Sequence, residues 1–425
     1  MKKKILLLVW LLVLASGGGV KADELAELKR QLAEQAKLLQ QMQQRLEQLE
    51  ASQKVQEQNV DEKISKAVEE KQIGALPESL KWVENVKLSG DLRYRHETRD
   101  TQGSSWQKGR NRHRIRARLG LDAKVNSEVD LGFRIASGSA DPASTNQTLE
   151  DSFSSKELWL DLAYFDWHPN GIPAFNLIGG KMKNPFYKVG GNQLIWDGDV
   201  NPEGIAAKYV IALGDYDKLH INGGGFWVNE NSAGANTSLW GAQAYLKHTF
   251  KNSPYLLGGI SYFDYADIKG RGNLKGTWST STSFFGNTSS GNRFASDYDI
   301  FEAFGEFGFE VKEMPVAVFG DYAKNTASAS SQDTGWLIGC KVNKAKKPGT
   351  WEASYNYRDL QADAVLGAFT DSDFIGGGTN GRGHTFGFKY QIANNWQTAL
   401  TYFHNEWGDN NADYRKLQAD LIFKF

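Results

Sequence analysis

The sequence predicts an all-β transmembrane barrel of about 16 antiparallel strands preceded by an α-helical coiled-coil segment. Three observations carry this. Apolar and polar residues alternate at period two from residue 86 to the end, the connections between these stretches are alternately short and long, and a heptad pattern fills residues 23–72. The alternation is clearest in Arg110–Val125, where Ile115, Ala117, Leu119, Leu121, Ala123 and Val125 form one stripe and Arg110, Arg112, Arg114, Arg116 and Arg118 the other. On a soluble sheet five arginines in a row would repel each other for no gain, whereas a lipid-embedded barrel puts that face on a wet interior.

Composition agrees. Of 425 residues 44 are glycine and only 9 proline, which favours many strands and turns. The single cysteine, Cys340, excludes an internal disulfide framework and a multi-Cys zinc site, and reads as an apolar strand residue. The mean hydropathy of −0.50 argues against a helical membrane protein but not against a barrel, whose lipid-facing residues hide among polar ones.

In chain order, residues 1–22 read as a signal peptide: lysines 2–4, an apolar run Ile5–Ala15, small residues, and a Val20-Lys21-Ala22 cleavage site. Cleavage removes Lys2, Lys3, Lys4 and Lys21 and takes the formal charge from −1 to −5, a weak acidic balance that predicts no affinity for nucleic acid. Residues 23–72 contain no glycine or proline, and Leu25, Leu28, Leu32, Gln35, Leu39, Met42, Leu46 and Leu49 alternate at steps of three and four. That is the a/d seam of a coiled coil, about 75 Å long, expected to lie in the periplasm and to join three chains; a single helix folded back on the body is the alternative. Residues 73–85 form a linker, and the barrel is expected over 86–425.

Strands are expected to begin at 86, 110 and 129 and to run over 156–167, 175–183, 204–213, 218–228, 238–250, 255–266, 298–311, 315–324, 335–343, 350–358, 383–392, 396–406 and 414–425. Short turns fall at 126–128, 169–174, 214–217, 251–254, 312–314, 344–349 and 393–395, with polar, Gly/Ser/Asn-rich loops between. Short turns on one rim and long loops on the other suit an outer-membrane barrel with both termini on the periplasmic side. Tyr164, Phe165, Trp167, Phe175, Tyr255, Trp351 and Trp396 gather at short-turn strand ends as an interfacial girdle. The last strand ends on Phe425; such a C-terminal aromatic resembles the sorting signal by which barrel-assembly machinery takes up outer-membrane proteins.

The stretches RHRIRARLG (112–120), LWLDLAYFDWHP (158–169), GGKMKNPF (179–186) and WDGDVNPEG (196–204) resemble the bacterial family called putative porins, over roughly 86–425. The resemblance implies a trimeric outer-membrane diffusion channel for ions and small hydrophilic solutes, and names no particular solute.

If the apolar stripes face lipid, Arg93, Arg95, Arg112, Arg114, Arg116, Arg118 and Arg134 point inward from three adjacent strands. Glu302, Glu306 and Glu310, with Asp321 and Glu352, are expected on the opposite wall, so that a transverse field crosses the pore. The arginines could instead pair with loop carboxylates and stiffen the wall. Lys181 and Lys183 are expected to line the pore at the root of the loop 185–203, which carries Asp197, Asp199 and Glu203 and is the candidate to fold into the lumen; a position on the rim is the alternative.

Catalysis finds no support. His96, His113, His168, His220, His248, His384 and His404 are scattered, no HExxH, P-loop or dinucleotide fingerprint occurs, and neither cofactor nor metal is expected. Asp371–Asp373 lacks ordered calcium-ligand spacing and reads as solvated loop. The rival class is structural: an envelope tether or receptor whose coiled coil mediates oligomerisation and periplasmic contacts.

Overall fold

The computed structural model describes residues 22–71, 78–101, 109–232, 234–251, 254–272, 274 and 284–425. The expected signal segment up to residue 21, the last coiled-coil residue, 72, and the first part of the linker, 73–77, lie outside them. The chain divides into two compact units at Lys81/Trp82.

In the first unit a continuous helix, α1, runs Ala22–Lys71, as a stretch without glycine or proline allows. Leu39, Met42, Leu46 and Leu49 on its seam are 52–62% exposed in the single chain. The side chains of Leu25, Leu28 and Leu32 lie outside the described residues. A helix with a bare apolar seam gains little from its own packing.

A 3₁₀ helix, Glu78–Asn85, runs across the boundary in sequence, and the second unit continues as sixteen antiparallel strands. They are β1 Val86–Thr101, β2 Arg110–Lys124, β3 Val129–Ser137, β4 Leu158–Trp167, β5 Phe175–Lys181, β6 Glu203–Ala212, β7 Asp217–Asn229 and β8 Thr237–Thr249. The ring continues with β9 Tyr255–Ala266, β10 Tyr298–Val311, β11 Met314–Asn325, β12 Thr334–Asn343, β13 Trp351–Leu360, β14 Gly381–Ala393, β15 Trp396–Trp407 and β16 Ala412–Lys424. Each pairs with its neighbours in sequence, and β16 closes on β1 from Asp91↔Lys424 to Thr101↔Tyr414. Closure answers the edge groups that hydrocarbon could not. The seven short turns and the longer loops segregate to opposite rims as expected. β1 runs beyond Arg95 to Thr101, further than its apolar alternation extends.

Outside the ring lie Leu88, Leu92, Leu119, Phe133, Ile205, Trp240, Leu256, Phe307, Ile338, Leu400 and Leu421, each at least 39% exposed. Trp167, Phe175, Trp351 and Trp396 share that outward face, Trp396 stacking on Phe423 and Trp351 on Phe388. Two expected girdle residues turn inward instead. Tyr164 covers Gly132, where the inward face has no side chain of its own, and Tyr255 reaches Glu306.

One side of the interior is filled. The loop 182–202 buries Met182, Phe186, Val189, Leu194, Ile195 and Trp196 against Phe226, Phe263, Phe304 and Phe319 of the wall. The loop 361–380 adds Ala364, Val365, Leu366 and Ala368 to the same core. Asn287 clamps it by donating to the carbonyls of Ala362 (2.7 Å) and Val365 (2.8 Å). This second inward loop has no counterpart in the sequence expectations.

At the seam, Gly90 exchanges backbone hydrogen bonds with Phe425, both 3.1 Å, and the Phe425 ring lies where a Gly90 side chain would project. A Cβ there would fall 2.6 Å from the Arg118 carbonyl and 2.4 Å from the ring. Gly90→Val should therefore destabilise the closed barrel by about 1–3 kcal/mol, read as a lower melting temperature of the compact, detergent-resistant form on gels; an unchanged melt would show that the seam does not depend on this contact.

Candidate functional site

The inward face of β1 carries Asp91, Arg93, Arg95 and Glu97, and that of β2 carries Arg112, Arg114, Arg116 and Arg118. The register sets Arg93 opposite Arg116, Arg95 opposite Arg114 and Glu97 opposite Arg112. Like charges directly opposite each other destabilise a sheet unless countered. Here Asp91 takes Arg116 (2.7 Å) and Arg118 (2.6 Å), and Glu97 takes Arg112 and lies 3.7 Å from Arg114. Arg95 donates to Asp420 of β16 (2.6 and 2.8 Å), while on β3 Arg134 pairs with Asp161, which sits at a β-bulge facing it. All seven predicted arginines thus point inward, and six have carboxylate partners, as the wall-stiffening alternative required. Among the described residues Arg93 donates only to the Asn146 side-chain oxygen.

The acids expected to oppose them play another part. Glu302, Glu306 and Asp321 do face inward, but they are buried beneath the loop 182–202. Glu306 accepts from the Gly190 backbone N–H (2.7 Å), the Tyr187 hydroxyl (3.4 Å) and Tyr255. Asp321 accepts from Asn192 Nδ2 (2.7 Å) and Glu302 from Ser261. Gly190 is required here: its φ is +57°, and a Cβ would meet the Phe319 ring at 2.5 Å. These carboxylates hold the loop in the lumen rather than lining a water path. Buried, unanswered acids would be costly, and the loop's donors answer them.

The loops bring the counter-charge across instead. The loop 361–380 meets 182–202 through Asp197 N–H to the Phe369 carbonyl (2.7 Å), Ser372 N–H to Asp197 (2.8 Å) and Thr370 Oγ1 to the Leu194 carbonyl (2.8 Å). From it Asp373 pairs with Arg95 (3.1 Å) and Lys416, and Asp371 with Arg358 (3.1 Å). Asp371–Asp373 is therefore part of the lumen lining and not a solvated loop; three small polar residues give no sign in sequence of the cations waiting opposite.

Between wall and loops lies an open cavity of about 460 Å³. Arg93, Arg95, Arg116 and Arg118 line one side, and Gln193, Asp197, Asp199, Asp371 and Asp373 reach it from the loops. Of the other expected lining residues, Arg112 and Arg114 lie nearer the long-loop rim on β2 and Arg134 sits outside the cavity lining. Glu352 faces inward and pairs with Lys389 (2.7 Å), and Glu310 is exposed near the short-turn rim. Lys183 is exposed past the end of β5. Lys181 is misplaced by the sequence reading: the register sets it beside Ala163 and Glu203 on the outward stripe that includes Phe133, and it pairs with Glu203 (2.7 Å). Gly179 and Gly180 interrupt the apolar parity of β5 just before Lys181.

Sequence reasoning missed Asp91, Glu97, Arg358, Lys416 and Asp420. A signal existed for the first two, which share the parity of Arg93 and Arg95. The others become partners only when the ring closes and the loop 361–380 enters.

Burial, with Asp371 and Asp199 nearby, pushes the Asp197 carboxyl up to about 8. Burial also acts on Asp373, yet Lys416 and Arg95 hold it well below the ordinary carboxylate range. A carboxyl whose folded pKa is raised contributes stability that is complete below about 4 and is lost as pH rises through about 8. The contact between the two loops should therefore loosen between pH 7 and 9, and Asp197→Asn should abolish that dependence. Limited proteolysis of the loop 361–380 across this range measures it; identical profiles for both proteins would contradict the assignment.

The comparisons agree with this architecture. The signature of the family described as "Putative porin" matches residues 104–298 and 300–425. No curated protein sequence matches the chain. Among solved structures, the high-pH structure of Pseudomonas putida OprB is similar with a TM-score of 0.54 and 11% identity, covering 81% of this chain and 95% of that one. A Salmonella typhi OmpF complex with daunomycin is similar with a TM-score of 0.51 and 10% identity, covering 80% and 97%. At such identities these two likenesses speak for the fold alone. The family match spans most of the barrel, and the chain belongs to the putative porin family of outer-membrane barrels.

Proposed function

We propose that this protein is a diffusion channel for ions and small hydrophilic solutes, whose narrowest part runs between the arginine wall and the two inward loops. The observation that carries the reading is the open, charge-lined cavity beside the apolar packing that fills one side of the interior. Water and polar solutes are confined to the face made by β1, β2 and β13–β16, where fixed charges of both signs stand across a short gap. The bare seam of α1 supports a homotrimer held by a periplasmic coiled coil, and Phe425 supports recognition of the last strand by barrel-assembly machinery. Lipid of the outer membrane covers the apolar outer face.

In planar bilayers the purified mature protein should give discrete conductance steps, grouped in threes if α1 trimerises. Deleting Val189–Gln193 removes the loop tip that Glu306 and Asp321 hold and should raise the step size. An unchanged step would mean that this loop does not set the constriction. The apolar filling of the lumen favours a second reading, a receptor or envelope tether, and a folded but electrically silent protein would select it.

A further inference from the structure

The charges around the cavity are unevenly answered. Each carboxylate that reaches it is saturated. Asp199 accepts from the Thr145 N–H (3.1 Å) and Oγ1 (3.0 Å) and lies 3.7 Å from Arg118. Asp197 accepts two backbone N–H groups, Asp371 accepts Arg358 and the N–H of Asp373, and Asp373 accepts Arg95, Lys416 and Gln418. The cations are not all answered. Arg116 and Arg118 share the carboxylate Asp91, and Arg118 also lies 3.7 Å from Asp199. Arg93 has none: among the described residues its only hydrogen bond is to the neutral amide of Asn146, and its Nε–H is buried without a partner. It also stands between Arg95 on its own strand and Arg116 directly across.

A guanidinium in that position has no carboxylate within ion-pair distance, and its Nε–H has no acceptor. Chloride supplies the charge at a single point, whereas a carboxylate or phosphate supplies it with two oxygens in the plane that the guanidinium fork matches. We infer that Arg93, flanked by Arg116 and Arg118, forms an oxyanion subsite in the constriction, which makes small carboxylates or phosphates the preferred solutes of the channel. The inference rests on the channel reading above. Arg93 supplies the fork, and Arg116 directly across from it, with Arg118 beyond, adds to the positive side of the cavity that the anion meets. Asn146, presented by the loop 138–157, holds Arg93 at the lumen edge.

The test is single-channel recording of the full mature protein in potassium chloride, with succinate or inorganic phosphate added as separate arms. Wild type should show concentration-dependent interruption of the chloride current by at least one of the two, and the arm that acts identifies carboxylate or phosphate as the better ligand. Arg93→Gln should weaken that interruption roughly tenfold, while Arg93→Lys, which keeps the charge without the fork, should recover only part of it. Full recovery by lysine would overturn the fork and leave a plain charge effect. An Arg93→Gln channel that still conducts and binds both anions as wild type does would overturn the subsite. Wild-type steps indifferent to both anions would overturn it as well with the channel reading intact, whereas a wild type without steps would overturn both.

Discussion

Hydrocarbon offers no partner to a peptide N–H or C=O, so every rung of a membrane-embedded sheet must be met by another strand. In this chain the final rungs are those between β1 and β16, ending with the two bonds between Gly90 and Phe425. Everything else in the barrel depends on that closure. It fixes which face of each strand looks inward, and it brings Asp420 and Lys416, near the end of the sequence, beside Arg95 and Glu97 near the start of the barrel. The wall charges are thus neutralised by residues more than three hundred positions away.

Closure also creates an interior that must be filled or wetted. The chain does both, on opposite sides. Facing β6–β13, aromatic and aliphatic side chains of the wall receive the loops 182–202 and 361–380 and form a core like that of a soluble domain. Glu306 and Asp321 are enclosed in it, where they would be costly if the loop did not deliver Gly190 N–H and Tyr187 to the first and Asn192 to the second, while Ser261 of the wall answers Glu302. The loop and the acids are therefore mutually required: the acids pin the loop, and the loop makes the acids tolerable. On the other side the wall is arginine-rich, and packing gives way to a water-accessible gap.

Along that gap, attraction between fixed charges serves both architecture and permeation. Asp373 holds the second loop by contacts with Arg95 and Lys416 and at the same time cancels part of the field those cations would exert on a passing ion. Neutralisation leaves a small residual asymmetry rather than two opposed walls of naked charge. Among the described residues Arg93 is the wall arginine left without a carboxylate within ion-pair distance.

The sequence by itself determined the barrel, its sixteen strands to within a few residues at most ends, the sorting of turns and loops, and the inward direction of the seven arginines. These follow from period-two alternation and turn chemistry, which are local. It also marked α1, because a heptad repeat is local too. It misoriented Lys181, where glycines erased the parity signal, and it turned Tyr164 and Tyr255 outward, because an aromatic near a strand end carries no label for its face. Only the tertiary structure decided which acids oppose which bases. Alternation told that Glu306 faces the lumen but not that a loop more than a hundred residues earlier would cover it, and nothing near Asp371–Asp373 announces Arg95, Arg358 and Lys416. Those pairings are made between segments far apart in the chain and exist only once the ring has closed around the loops.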